Sequence, residues 1–157
     1  MARPRTIQAS IRVEAPPSVV FDILTDPRQH PRIDGSGTVR GTITGPDRLV
    51  HGSEFGVRMR MFGLPYKINN RVVEHEPDRL IAWRHFGGHR WRYELTPIGA
   101  ATKVTETFDE TRSNRLARLV ITLLGARRRN RRSIPATLRR LKQAAEADIA
   151  TSGGGAG

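Results

Sequence analysis

Glu106 is the residue in this sequence whose charge fits its neighbours least. It stands between Val104 and Phe108 in a run whose other positions are Lys103, Thr105, Thr107 and Asp109. A period of two puts 104, 106 and 108 on the apolar, inward face of a strand. An unpaired carboxylate there is costly, and burial raises its pKa. Such a group can act as an acid/base or orient a ligand hydroxyl. The alternatives are an arginine partner or a place at the mouth of whatever the face encloses. Tyr93, His85 and Tyr66 are further polar handles.

Other chemistry is largely excluded. His85 and His89 are four apart, but Gly87-Gly88 lies between them, so they belong to a hairpin turn and not to one helix face. No HExxH or comparable cluster exists, and no metal is expected. Gly35-Ser36-Gly37 lacks the strand-to-helix setting of a nucleophile elbow. There is no glycine-rich phosphate loop, so no cofactor is expected either. The absence of cysteine rules out disulfides and thiolate chemistry and fits a reducing cytoplasm. Met1-Ala2-Arg3-Pro4-Arg5 leads into no apolar run, and no stretch reaches the ~18 apolar residues of a membrane span. A cytoplasmic location is the expectation.

The formal net charge is +12, and its placement matters more than its size. From Arg112 to Lys142 there is no acidic residue, and the cluster Arg127, Arg128, Arg129, Arg131 and Arg132 lies at its centre. The rest of the chain is close to neutral. Three readings stand: a solvated helix face, docking on an anionic membrane, or nucleic-acid binding. The apolar run from Leu116 to Leu124 beside the arginines suits an interfacial helix. No DNA- or RNA-binding motif accompanies the charge, so nucleic acid is the weakest of the three.

The elements that must position these residues follow from periodicity. Ile7, Ala9, Ile11 and Val13 alternate over Thr6–Glu14 as a half-buried strand. Val19, Val20, Ile23 and Leu24 then recur at helical spacing behind Pro16-Pro17, which suit a helix's first positions. His30 to Gly37 has the composition of a turn-rich connection. Strand-like runs follow at Val39–Ile43, Glu54–Met61, Lys67–Glu76, Leu80–Phe86, Arg90–Leu95 and Lys103–Asp109, with turn residues between them. After Leu116 the period becomes helical, through Ile134, Leu138, Leu141 and Ala145. Pro135 predicts a kink or two helices, the second capped by Ser133.

An antiparallel sheet with one apolar face must bury it, and the terminal helix is the only large apolar partner. The predicted fold is therefore α+β, a helix-grip: a curved antiparallel sheet wrapped around a long C-terminal helix, with a short helix after the first strand. Residues 1–150 form one domain, and 151–157 a disordered Gly-rich tail. The apolar strand faces put Phe55, Val57, Met59, Met61, Trp91, Tyr93, Val104 and Phe108 on the wall facing the helix. Trp83 and His85 share a face of their own strand, and Leu138 faces them from the helix.

Four stretches in this order resemble the START-like (SRPBCC) superfamily, and within it the bacterial polyketide cyclase/dehydrase-like branch. They are Ala15-Pro16-Pro17-Ser18-Val19-Val20-Phe21-Asp22-Ile23-Leu24, Val72-Val73-Glu74-His75-Glu76-Pro77, Trp91-Arg92-Tyr93-Glu94-Leu95-Thr96-Pro97 and Thr137-Leu138-Arg139-Arg140-Leu141-Lys142. Relatives often carry Trp just after the first helix, where this chain has Ile33. The resemblance implies a deep cavity between sheet and terminal helix for a hydrophobic or amphipathic, lipid-like or polycyclic molecule. It fixes no single chemistry. A carrier or sensor without turnover is the first expectation. A polyketide cyclase/dehydratase using Glu106 is the second, and a basic membrane- or nucleic-acid-binding surface protein the third. Oligomeric state is not legible.

Overall fold

The computed structural model describes residues 5–154, with the side chains of residues 41, 42, 61 and 86 outside the description. Strand β1 (Thr6–Val13) turns Ile7, Ala9, Ile11 and Val13 inward, as its alternation requires. Helix α1 (Pro17–Thr25) starts on Pro17 and buries Val20, Phe21, Ile23 and Leu24.

The connection after α1 is more ordered than its composition indicates. A 3-10 turn (Pro27–Gln29) and a short helix α2 (His30–Ile33) replace the expected loop. Pro27 and Pro31 both fall in first-turn positions, where a missing N–H costs nothing. The Asp26 carboxylate also accepts the Arg28 N–H at 3.0 Å. Proline here starts turns and does not break them.

Strands β2 (Val39–Thr44), β3 (Glu54–Met61), β4 (Leu64–Glu76), β5 (Leu80–Arg84), β6 (Arg90–Ile98) and β7 (Ala101–Asp109) complete one antiparallel sheet in the order β1-β7-β6-β5-β4-β3-β2. β5 ends at Arg84, short of Phe86, because Gly87 and Gly88 turn the chain at φ of 78° and 89°.

Two helices end the fold: α3 (Arg115–Leu123) and α4 (Ala126–Gly153). The break between them falls at Gly125 and not at Ser133. Gly125 adopts φ 64°, a left-handed stop that other residues resist. Ser133 caps nothing; it lies buried inside α4, which continues through Pro135. Ile134, Leu138 and Leu141 are fully buried on the sheet, and that packing outweighs the backbone bond the proline removes. Thr151–Gly153, expected in a disordered tail, also continue the helix. The hydroxyls of Thr151 and Ser152 donate to the carbonyls of Ala147 and Asp148.

α4 lies in the curve of the sheet, as the helix-grip arrangement requires. Its dry end packs Leu141 and Ala145 with Val13, Val20, Leu24, Leu95 and Val104. The other end is hollow.

Candidate functional site

The hollow end holds a cavity of about 250 Å³ between the sheet, α2, α3 and the first half of α4. Strand register explains which side chains converge there. Trp83 lies opposite Trp91, and Trp91 opposite Phe108, making one aromatic row across β5, β6 and β7. Two residues further along, Tyr93 lies opposite Glu106 on the same face. Phe55, Val57 and Met59 extend the wall along β3, and Tyr66, Ile68 and Asn70 along β4. The rings lock one another in place: Trp83 sits 5.6 Å from Phe55 and 5.5 Å from Tyr93, and Trp91 4.9 Å from Phe108.

Glu106 is 2 % exposed, and among the described residues no arginine is recorded in an ion pair with it. The Tyr93 hydroxyl donates to its Oε1 at 2.9 Å, a direct cross-strand bond. Oε2 has no hydrogen-bond partner among the described residues and belongs to the cavity wall. Burial pushes the Glu106 carboxyl up to about 8; nearby Asp34 adds to this, and the Tyr93 bond opposes it. At neutral pH it is a neutral acid. Burial, with the Glu106 charge second, holds the Tyr93 phenol well above its ordinary range. The pair therefore carries no charge, and the Tyr93 hydroxyl is spent inside the wall.

The histidines are neutral for the same reason. Burial lowers His85 to about 3, with His89 assisting, and His89 to about 4. Their rings stack 4.9 Å apart across the glycine turn, a packing contact and not a metal site. Among the described residues no group of three or more metal-binding side chains occurs.

Ten of the residues singled out from sequence lie on this wall: Phe55, Val57, Met59, Tyr66, Trp83, His85, and the later Trp91, Tyr93, Glu106 and Phe108. Val104 and Leu138 do not. Both are buried in the dry end, because alternation assigns a face but not a position along the strand. The side chain of Met61 lies outside the described residues. The basic cluster also divides. Arg128, Arg131 and Arg132 are exposed, whereas Arg129 lines the cavity and Arg127 pairs with buried Glu110 at 2.7 Å.

Three polar contributors went unrecognised in the sequence. His30 comes from α2, its Nε2 bonded to the Leu24 carbonyl at 3.0 Å and its ring stacked 5.1 Å from Trp83. Burial lowers its pKa, keeping it neutral. Asn70 is buried with Oδ1 unpartnered among the described residues. Its signal was present: it alternates with Ile68 and Val72 as Glu106 does with its neighbours. Thr137, from α4, holds the loop after α2 by accepting the Gly35 N–H at 3.0 Å.

A family model described as "Polyketide cyclase / dehydrase and lipid transport" matches residues 4–146. The chain belongs to that family. Uncharacterized protein Rv0088 of Mycobacterium tuberculosis is 49% identical over 109 residues, which cover 69% of this chain and 49% of that protein. The chain thus matches about half the length of its curated relatives. Among solved structures, the Zhui aromatase/cyclase of Streptomyces sp. R1128 is similar with a TM-score of 0.70 at 18% identity, over 92% of this chain and 95% of that one. The polyketide-cyclase-like protein Cgl2372 of Corynebacterium glutamicum gives 0.64 at 21% identity, over 95% and 96%. At these identities the likeness is one of fold. Family and fold carry a small-molecule or lipid-binding cavity as their common feature, and the cavity of this chain is the hollow just described.

Proposed function

We propose that this chain binds a flat, mainly apolar molecule bearing a hydrogen-bond acceptor, and holds it without turning it over. The observation that carries this is the Glu106–Tyr93 pair, a buried carboxyl with one oxygen unpartnered among the described residues, on the wall of a cavity rich in aromatic rings. A neutral acid can donate to a ketone at small desolvation cost, where a carboxylate has no proton to give and would repel the carbonyl oxygen. The size, about 250 Å³, lies just below the usual range for ligand pockets, roughly 300–1,000 Å³, and so suits a small ligand.

Flavone, a flat apolar ketone, is a suitable probe, because Trp83 and Trp91 on the wall report binding by quenching. Quenching should saturate at neutral pH and weaken as pH rises through about 8. Glu106→Gln keeps a neutral donor and should remove the pH dependence while retaining affinity. Native mass spectrometry of the full chain should also show a co-purified mass that is lost on denaturation. No saturable quenching together with a clean apo mass would overturn the reading.

One observation favours a second reading. A carboxyl poised near neutrality is a fitting general acid, and one of the solved structures of similar fold is an aromatase/cyclase. Turnover of a polyketide-like substrate, lost in Glu106→Gln with affinity unchanged, would decide for it.

A further inference from the structure

Helix α3 is inside out. Ala117 and Ile121 are its buried residues, Val120 and Leu124 border the cavity, and Ala117 fits only because Gly87 beneath it has no Cβ. Leu116, Leu119 and Leu123 form the opposite face at i, i+3 and i+7. Leu116 is 70% exposed and Leu123 75%. Phe62 and Leu64, at the turn between β3 and β4, are exposed to a similar degree, at 81% and 71%. That turn joins Met59 to Tyr66, and these line the same cavity as Val120 and Leu124. Folded proteins seldom leave so many large apolar side chains open together on one helix.

The segments flanking this face are basic. Arg112 and Arg115 before it and Arg128, Arg131 and Arg132 in the first turns of α4 are exposed, in a segment without a single acidic residue. We infer that α3 and the basic start of α4 dock on an anionic lipid bilayer, the leucines entering the acyl boundary and the arginines meeting the headgroups. An apolar face flanked by arginine is the composition of a helix that lies in the interface plane. Charge excludes the competing occupants. Nucleic acid would reward the arginines and leave the leucines stranded in water. A second copy joined by two-fold symmetry would set one arginine cluster against the other. Among the described residues no helix is long and apolar enough to cross a membrane, so the contact is peripheral. This inference is independent of the ligand reading, since a chain with a filled cavity would dock equally.

Flotation of the full chain with vesicles tests it, using phosphatidylcholine alone and a mixture of phosphatidylcholine with phosphatidylglycerol. Binding is expected to the mixed vesicles, and at least about tenfold less to the neutral ones. Arg128→Ala, Arg131→Ala and Arg132→Ala together should weaken binding by about two orders of magnitude. Leu119→Ser with Leu123→Ser should abolish it; both residues are exposed, and an unchanged circular dichroism melt verifies that the fold is kept. Failure to float with the mixed vesicles would overturn the docking. So would binding that the serine pair leaves intact, since that would be charge attraction alone. A concentration-dependent dimer dispersed by the serine pair, with no flotation, would assign the face to a second copy and equally overturn it.

Discussion

The two ends of the sheet–helix interface are built from one chain by opposite rules. At the dry end Val13, Val20, Leu95, Val104, Leu138 and Leu141 are aliphatic and fully enclosed. At the hollow end the same strands carry Trp83, Trp91, Tyr93, Phe108 and Glu106 around an open volume. Aliphatic side chains interdigitate and leave no space, whereas rings held edge to face line a space without filling it. The polar groups follow the same division, because a carboxyl can be tolerated only where a partner can reach it. Stability is therefore concentrated at one end, and the capacity to bind at the other.

That division is open to attack from both sides. Leu141→Ala removes a fully buried side chain from the dry end and should cost about 2–5 kcal/mol, read as a lowered midpoint in urea. A much smaller loss would mean that the dry end is not tightly packed.

At the hollow end, the folded state holds a proton on Glu106 up to about pH 8, whereas the unfolded chain releases it near the ordinary glutamate value of 4.5. Folding stability is therefore full below about 4.5, falls as pH rises from there to about 8, and levels off above. The slope from this one group is at most ~1.4 kcal/mol per pH unit. Glu106→Gln should remove it from a series of urea midpoints.

Gly35→Ala probes the boundary between the two ends. A Cβ there would lie 2.2 Å from the Thr137 backbone nitrogen, so the α2 loop must lift from α4, at about 1–3 kcal/mol. The smallest effect is expected outside both ends: Arg128→Ala with Arg131→Ala should leave stability within about 0.5 kcal/mol.

The antiparallel sheet and the gripping helix were legible because period-two alternation survives wherever one face is buried, as in β1 and β7; the pairing of β1 with β7 was not, because alternation names no partner. Glu106 was legible for the same reason, as a polar residue out of phase with its side of the strand. Asn70 sent the same signal beside a weaker pattern. What could not be read was position along the strand. Val104 and Phe108 share a face, yet one fills the core and the other borders the cavity. His30 was hidden by Pro27 and Pro31, whose breaker reputation holds inside helices and not at their starts. Gly125 was passed over as the break because Pro135 carries the stronger local signal. The dense packing of Ile134 and Leu138 overrides that signal.

The attachment of α3 bears on time as well as on contact. Of its nine residues only Ala117 and Ile121 are buried, with a cap at Asn114 and a glycine at the far end. A segment held so lightly opens far more often than the fold as a whole, and its amides should exchange with solvent long before those of α4. Val120 and Ile121 are cavity wall. On the proposed ligand reading, opening of this one short helix would speed release, so two variants of equal affinity would differ in how quickly they let go.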